Sequence, residues 1–224
     1  MKYGVLVVGV VGLVGFSAVA SAQSAPPART GFQMDIRTGY SIPMGTAFGE
    51  SSDQDTTKLT DIASGQVPVI LDIGGKVIPE LFVGGYLGLG FGSAGGDFKK
   101  LCDARGRKCS AVDVHLGFVI QYHILPAGSV NPWVGYGVGV ESLGLSNVST
   151  SNTTTDTATI TGFEFARLMG GTDFRVSDVF GLGPFIDLSL AQYSTIKVGD
   201  RSTDISNTKM HEWLTLGIRG VFFP

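Results

Sequence analysis

The sequence predicts an all-β fold: an eight-stranded antiparallel transmembrane β-barrel, laid out as an up-and-down meander. Three observations predict it. Apolar residues alternate with polar residues or glycine over about eight stretches of ten or so residues. That is longer than the ~5–6 residues usual in soluble sheets and close to the ~9–11 of a tilted membrane strand. The connections between these stretches alternate long and short, as expected when turns gather at one end and loops at the other. Helical periodicity is absent, and beyond the N-terminal segment no stretch approaches the ~18 apolar residues of a helical span.

The chain has 224 residues, a formal net charge of −3, 16% charged and 43% hydrophobic residues, and 33 glycines. Its length suits one large β domain. The hydrophobic share argues against a disordered linker, and the acidic balance argues against a nucleic-acid partner, which needs a basic face.

The N-terminus reads as an export signal. Lys2 is the only charged side chain in the first 28 residues; Gly4 to Phe16 is apolar, and Ala20-Ser21-Ala22 is a small-residue cleavage pattern. Residues 1–22 are therefore expected to be removed. The mature chain then has 15 basic and 19 acidic residues, net −4. Residues 23–30 form a flexible lead, and residues 31–224 the barrel.

The strands follow in order. From Phe32 to Ile42, Phe32, Met34, Ile36, Thr38, Tyr40 and Ile42 oppose Gln33, Asp35, Arg37, Gly39 and Ser41. From Val67 to Val77, Val69, Leu71 and Ile73 oppose Asp72, Gly74 and Lys76. From Leu81 to Phe91, Leu81, Val83, Leu87, Leu89 and Phe91 oppose Gly84, Tyr86, Gly88 and Gly90. The clearest alternation runs from Val112 to Ile124, with Asp113, His115, Gly117, Gln121 and His123 on its polar face. Val134, Tyr136, Val138 and Val140 then oppose Gly135, Gly137, Gly139 and Glu141. In the sixth strand Phe163 and Phe165 oppose Glu164, after which the phase slips by one, so that Leu168, Phe174 and Val176 oppose Arg167, Asp173 and Arg175, and Arg175 joins Arg37, Arg167 and Arg219 as a candidate for pairing inside. Such a slip is the mark of a β-bulge. Ile186, Leu188 and Leu190 oppose Asp187, Ser189 and Ala191; last, Leu214, Leu216, Ile218 and Phe222 oppose Trp213, Thr215, Gly217 and Arg219.

The long connections are Pro43–Gln66, Ser93–Ser110, Ser146–Ala158 and Ser194–Lys209; the shorter ones are Ile78–Glu80, Pro126–Pro132 and Ser177–Phe180. Alternation alone leaves open which face is inside. Rows of glycine on the polar face favour a narrow, filled lumen over an exposed soluble surface. Aromatic residues near the strand ends read as two interfacial belts. Tyr40, Phe91, Phe163, Phe165, Tyr193 and Trp213 lie on the loop side; Phe32, Tyr122, Trp133, Phe174, Phe180, Phe222 and Phe223 lie on the turn side.

These long amphipathic strands, the export signal and the aromatic last strand resemble the small outer-membrane barrels of the OmpA, OmpX and OmpW type. The last strand, Trp213 to Pro224, is similar to the signal read by the outer-membrane assembly machinery, with Trp213, Phe222 and Phe223 as its aromatic residues. That signal usually ends in Phe, whereas here Pro224 follows Phe223. The resemblance implies a monomer in a Gram-negative outer membrane, in contact with lipid and lipopolysaccharide. It implies a non-enzymatic structural or surface-interaction role. The OmpW likeness implies an alternative, a narrow channel for small or hydrophobic solutes. Lipid A modification and a soluble lipocalin-like binder are the remaining readings.

With the apolar face outward, the lumen would hold Asp35, Arg37, Asp72, Lys76, Asp113, His115, His123, Glu141, Glu164, Arg167, Asp173, Asp187 and Arg219. An eight-stranded barrel is only wide enough for side chains to fill. Charges of both signs are expected to pair there, since an unpaired buried charge costs several kcal/mol. A meeting of Ser189, His115 and Asp187 is conceivable, but the His-x-Ser-Asn stretch of the lipid A deacylase family is missing, and no catalytic residue is expected. Three His without Cys–His spacing suggest neither a metal nor a cofactor.

In the second long loop, Cys102 and Cys109 are expected to form a disulfide in an oxidising compartment. Lys99, Lys100, Arg105, Arg107 and Lys108 outweigh Asp97 and Asp103 there, and this patch is a candidate for contact with anionic lipopolysaccharide. The Ser/Thr/Asn-rich stretch Ser146–Ala158 reads as a mobile external loop.

Overall fold

A computed structural model describes residues 29–49, 56–96, 99–100, 103, 107–149 and 155–223. The signal sequence, residues 1–22, lies outside the described residues.

Eight long strands close into a ring. They are β1 (Gly31–Gly49), β3 (Ala63–Ile78), β4 (Leu81–Ala94), β5 (Arg107–His123), β6 (Val130–Ser149), β7 (Thr155–Arg175), β8 (Phe180–Val198) and β10 (Met210–Phe222). Each pairs antiparallel with the next, and β10 pairs with both β8 and β1 to close the barrel. The closing seam runs from Met34–Phe222 to Gly45–His211. Two short strands, β2 (Thr56–Lys58) and β9 (Arg201–Asp204), fold back on the loop-side ends of β1 and β8. Closure leaves no unpaired strand edge in the wall, the condition for β-structure in lipid.

The strands run further into the loop side than the alternation suggests. The two ends of Ser146–Ala158, read as a mobile loop, are paired continuations of β6 and β7, with Ser146 opposite Thr157 and Val148 opposite Thr155; its middle, residues 150–154, lies outside the described residues. Thr155 and Thr157 are of a residue type that forms strands readily. The polar composition reflects water on the outside of the sheet, not loss of the sheet. Likewise β1 continues past Pro43 to Gly49, and β8 runs on to Val198. Pro43 sits beyond the last β1–β3 pair, Ser41–Gln66.

Side-chain polarity reverses along the wall. In the lower part of β6, Val134, Tyr136 and Val140 face out while Glu141 is buried. Higher up, Leu143 and Leu145 are buried and Ser142, Gly144 and Ser146 are partly exposed. The lower region is polar inside and apolar outside; the upper region has the pattern of a soluble barrel. The upper interior packs Ala111, Leu143, Ile160, Tyr193 and Trp213 against Leu59 and Ile62. Those last two come from α1 (Leu59–Ile62), a short helix between β2 and β3. Asp61 Oδ2 accepts a hydrogen bond from the Lys58 backbone N–H at 3.0 Å, holding the helix entry. Leu59 is fully buried, so burial of apolar surface seats α1 across the mouth. The alternation gave no sign of this apolar plug, because α1 is too short for its periodicity to register.

Three aromatics expected in the belts point inward. Trp133, Tyr193 and Trp213 are all at most 2% exposed. The period-2 phase decides this: Trp133 shares its face with Gly135, Tyr193 with Ala191, and Trp213 with Thr215. Position near a strand end does not. The belt itself is formed by outward residues such as Phe32, Tyr40, Phe91, Phe118, Tyr122, Phe163 and Phe174.

The phase slip in the sixth long strand is a bulge. Gly137 pairs with Arg167 and Gly139 with Glu164, so two β7 residues stand against one in β6. In a regular strand, residues three apart face opposite ways. The bulge turns both Glu164 and Arg167 into the lumen.

Candidate functional site

Every charged residue assigned to the lumen from the sequence is buried there. They stack at three levels, each organised by an arginine or a histidine.

At the turn-side level, Arg219 Nη2 donates to Asp35 Oδ2 and to Gln121 Oε1, both at 2.7 Å. Its Nη1 lies 3.4 Å from Asp173 Oδ2, and its guanidinium sits 4.1 Å from the Trp133 ring centre. Lys76 faces the Phe223 ring at 5.1 Å. His123 accepts from the Asn131 amide at 2.8 Å, and Asn131 Oδ1 accepts the Leu125 N–H. Arg175 is not in the network; it donates to the Pro126 carbonyl at the turn.

At the middle level, Arg37 donates to Asp187 at 2.7 Å and to both oxygens of Asp72 at 2.9 and 3.0 Å. Gln121 donates to Asp72 at 2.8 Å, joining this level to the one below. Arg167 donates to Glu164 at 2.6 Å and to Asp187 at 3.3 Å. Phe185 lies under Arg37 and Tyr86 under Arg167. Each of the three lumen arginines thus has carboxylates at its edge and a ring on its face. A planar guanidinium can satisfy both at once, which an ammonium cannot.

At the loop-side level, His115 lies between two carboxylates: Nε2 is 2.7 Å from Asp113 Oδ2 and Nδ1 is 2.8 Å from Glu164 Oε2. Gln66 donates to Asp113 at 3.0 Å and Tyr86 to Glu164 at 3.1 Å. Glu141 accepts from Tyr193 at 2.7 Å and from Trp213 Nε1 at 3.1 Å, and His211 Nε2 lies 2.9 Å from it. No Ser–His–Asp arrangement forms here: both ring nitrogens of His115 face carboxylates, and Ser189 Oγ has no hydrogen-bond partner among the described residues.

The inward glycines make room for these side chains. A Cβ at Gly117 would lie 2.6 Å from the Tyr86 ring and hydroxyl, so Tyr86 reaches Glu164 only because position 117 is bare.

Alternation placed the ionic residues, but it did not rank Gln66, Tyr86, Trp133, Tyr193 or Trp213 as network members. Their phase carried that information. Pairings such as Arg37 with Asp187, 150 positions apart, depend on ring closure. Of the remaining expectations, Lys99 and Lys100 are exposed, the side chains of Arg107 and Lys108 are not described, and Arg105 lies outside the described residues. Cys109 lies on β5, and Cys102 lies outside the described residues. In the last strand, Phe222 faces outward whereas Trp213 is in the lumen.

The sequence matches no family model and no curated protein. Among solved structures, it is similar to the outer-membrane protein AlkL determined in lipid bilayers, at TM-score 0.52 and 12% identity, covering 92% of this chain and 96% of that one. It also resembles the Neisserial surface protein A, at TM-score 0.46 and 11% identity, with 87% and 99% covered. A major outer-membrane protein of Thermus thermophilus matches at TM-score 0.45 and 14% identity, with 87% and 99% covered. At such identities it is the fold that is shared. With its apolar belt and closed ring, the chain is an eight-stranded transmembrane β-barrel of the outer-membrane type.

Proposed function

We propose that this protein is a non-enzymatic component of the outer membrane, exported by a signal removed after Ala22. The barrel serves as a monomeric anchor, and surface interaction belongs to the wall and loops above the apolar belt. The observation that carries this reading is the filled lumen. Among the described residues, two spaces beside the paired side chains measure about 10 Å³ each, one at the level of His115 and Ser189 and one beside Asn131 and Asp173. Each has room for roughly one water. The apolar plug of Leu59, Ile62, Leu143 and Trp213 lies above them. Lipid and lipopolysaccharide are its immediate neighbours, and the last strand, ending Phe222-Phe223, is what the assembly machinery would engage. A Cys102–Cys109 bridge would brace the basic loop that faces the lipopolysaccharide.

Planar-bilayer recording tests this. A silent folded barrel is the expected result. Discrete, reproducible openings would overturn it in favour of the narrow channel.

A further inference from the structure

We propose that Asp113, His115 and Glu141 form a divalent-cation site inside the barrel, for a zinc-like ion that takes nitrogen and oxygen ligands. One ligand atom from each lies within 4.8 Å of the others, and all three residues are buried. Two adjacent strands build the site. Asp113 and His115 are two apart on β5 and so share its inner face. Glu141 on β6 is the direct cross-strand partner of His115. This is a compact three-ligand face on a rigid sheet, where the wall itself sets the spacing.

Three further observations point to a cation. A neutral imidazole has one N–H, yet both nitrogens of His115 face carboxylate oxygens, at 2.7 and 2.8 Å. If Nδ1 donates to Glu164, then the Nε2 lone pair faces Asp113 Oδ2, and two acceptors this close need a shared cation: a proton on the line between them, or a metal ion beside it with the pair moved apart to give ligand distances of about 2.0–2.2 Å. A carboxylate on the far nitrogen of a histidine is also how proteins orient a metal ligand. Second, Asp113 Oδ1 has no hydrogen-bond partner among the described residues, although the side chain is fully buried. Third, the lumen is short of positive charge. Among the described residues it holds seven buried carboxyl groups (Asp35, Asp72, Asp113, Glu141, Glu164, Asp173, Asp187) against Arg37, Lys76, Arg167 and Arg219. Beside the proposed ligands, Arg167 is already shared by Glu164 and Asp187.

The small cavity lined by His115, Gln66, Ser189 and Thr215 adjoins the site and has room for one water, which would complete a four-coordinate shell. The imidazole nitrogen favours zinc or a similar transition metal over calcium or magnesium. The rival occupant of the same gap is a proton, giving an imidazolium between two carboxylates.

The test uses the full mature chain refolded into detergent micelles with equimolar Zn²⁺ and dialysed against metal-free buffer. Bound zinc is then measured by elemental analysis. We expect one zinc per chain in the wild type and in His123→Ala, which removes a buried histidine at the other end of the lumen. His115→Ala and the near-isosteric Glu141→Gln should each retain less than a tenth of that. Refolding with Co²⁺ should give visible absorption bands of a tetrahedral ion in the wild type and lose them in His115→Ala. Heat-modifiable gel migration shows that each variant is folded. Wild-type zinc no higher than that of folded Glu141→Gln, or equal loss in His123→Ala, would overturn the site in favour of the imidazolium.

Discussion

Arg37 Nη1 meets Asp187 Oδ2 at 2.7 Å, although β1 and β8 are not neighbours in the wall. The bond passes inside β10, the strand that closes the ring. It fastens the first long strand to the seventh behind the seam, with both side chains at most 1% exposed. Arg37→Met would strand the charges of Asp72 and part of Asp187 in a dry interior. Breaking a buried pair by removing one partner costs about 3–5 kcal/mol. Urea unfolding of the barrel in micelles should show a loss of that size. A loss under ~1 kcal/mol would mean that water or Arg167 compensates.

The inward turn of both tryptophans gives a spectroscopic prediction. Trp133 and Trp213 are 1% and 2% exposed, whereas Phe118 on the outer face of β5 is 77% exposed. In vesicles of lipids with brominated acyl chains, wild-type tryptophan emission should be nearly unquenched. Phe118→Trp should add a strongly quenched component. Strong quenching of the wild type would put the tryptophans in the belt and refute the assigned faces.

The apolar belt predicts a depth-dependent penalty for charge. Leu116 lies on the outer face of β5, between the loop-side Val112 and the turn-side Tyr122, and is 57% exposed. Leu116→Arg near the bilayer midplane should destabilise by about 2–4 kcal/mol, and Val112→Arg near the rim by about 0–1 kcal/mol. Equal small penalties, measured by reversible unfolding in bilayers, would mean that this wall faces water.

The sequence-legible part of this fold was the lower barrel. There every strand has one lipid face and one lumen face, so a one-residue shift would reverse both and the register is strongly marked. Asp35 and Arg37, or Asp113 and His115, could be placed inside without knowing their partners. The upper barrel was less legible, because threonine and serine on an exposed strand look like loop residues. The pairing inside the lumen was not legible at all. Which carboxylate Arg37 reaches depends on ring closure and strand stagger, and these are set by the whole sheet. The bulge at Glu164–Arg167 lies between these cases. Its phase slip was visible in sequence, but its consequence, two opposite charges on the same face at 2.6 Å, emerges only in three dimensions.

The Tyr193–Glu141 contact at 2.7 Å tests whether the loop-side level acts as a network. Glu141 accepts from Tyr193 and Trp213 on the same oxygen while His211 meets the other, and Tyr193 stacks on His211 with ring centres 4.0 Å apart. A hydrogen bond to a charged, buried acceptor contributes about 1.5–3 kcal/mol. Tyr193→Phe should therefore destabilise the metal-free barrel by about that much. If the groups act together, the double variant Tyr193→Phe/Glu141→Gln should lose less than the sum of the two single changes, with a coupling of about 0.5–3 kcal/mol. Trp213 reports on the same site, since Glu141→Gln removes the charge its indole N–H faces and should shift its emission, while Trp133 is held at the other end of the lumen. Additive losses with unchanged emission would show that Glu141 holds these three partners independently, and that the loop-side level is a set of separate contacts.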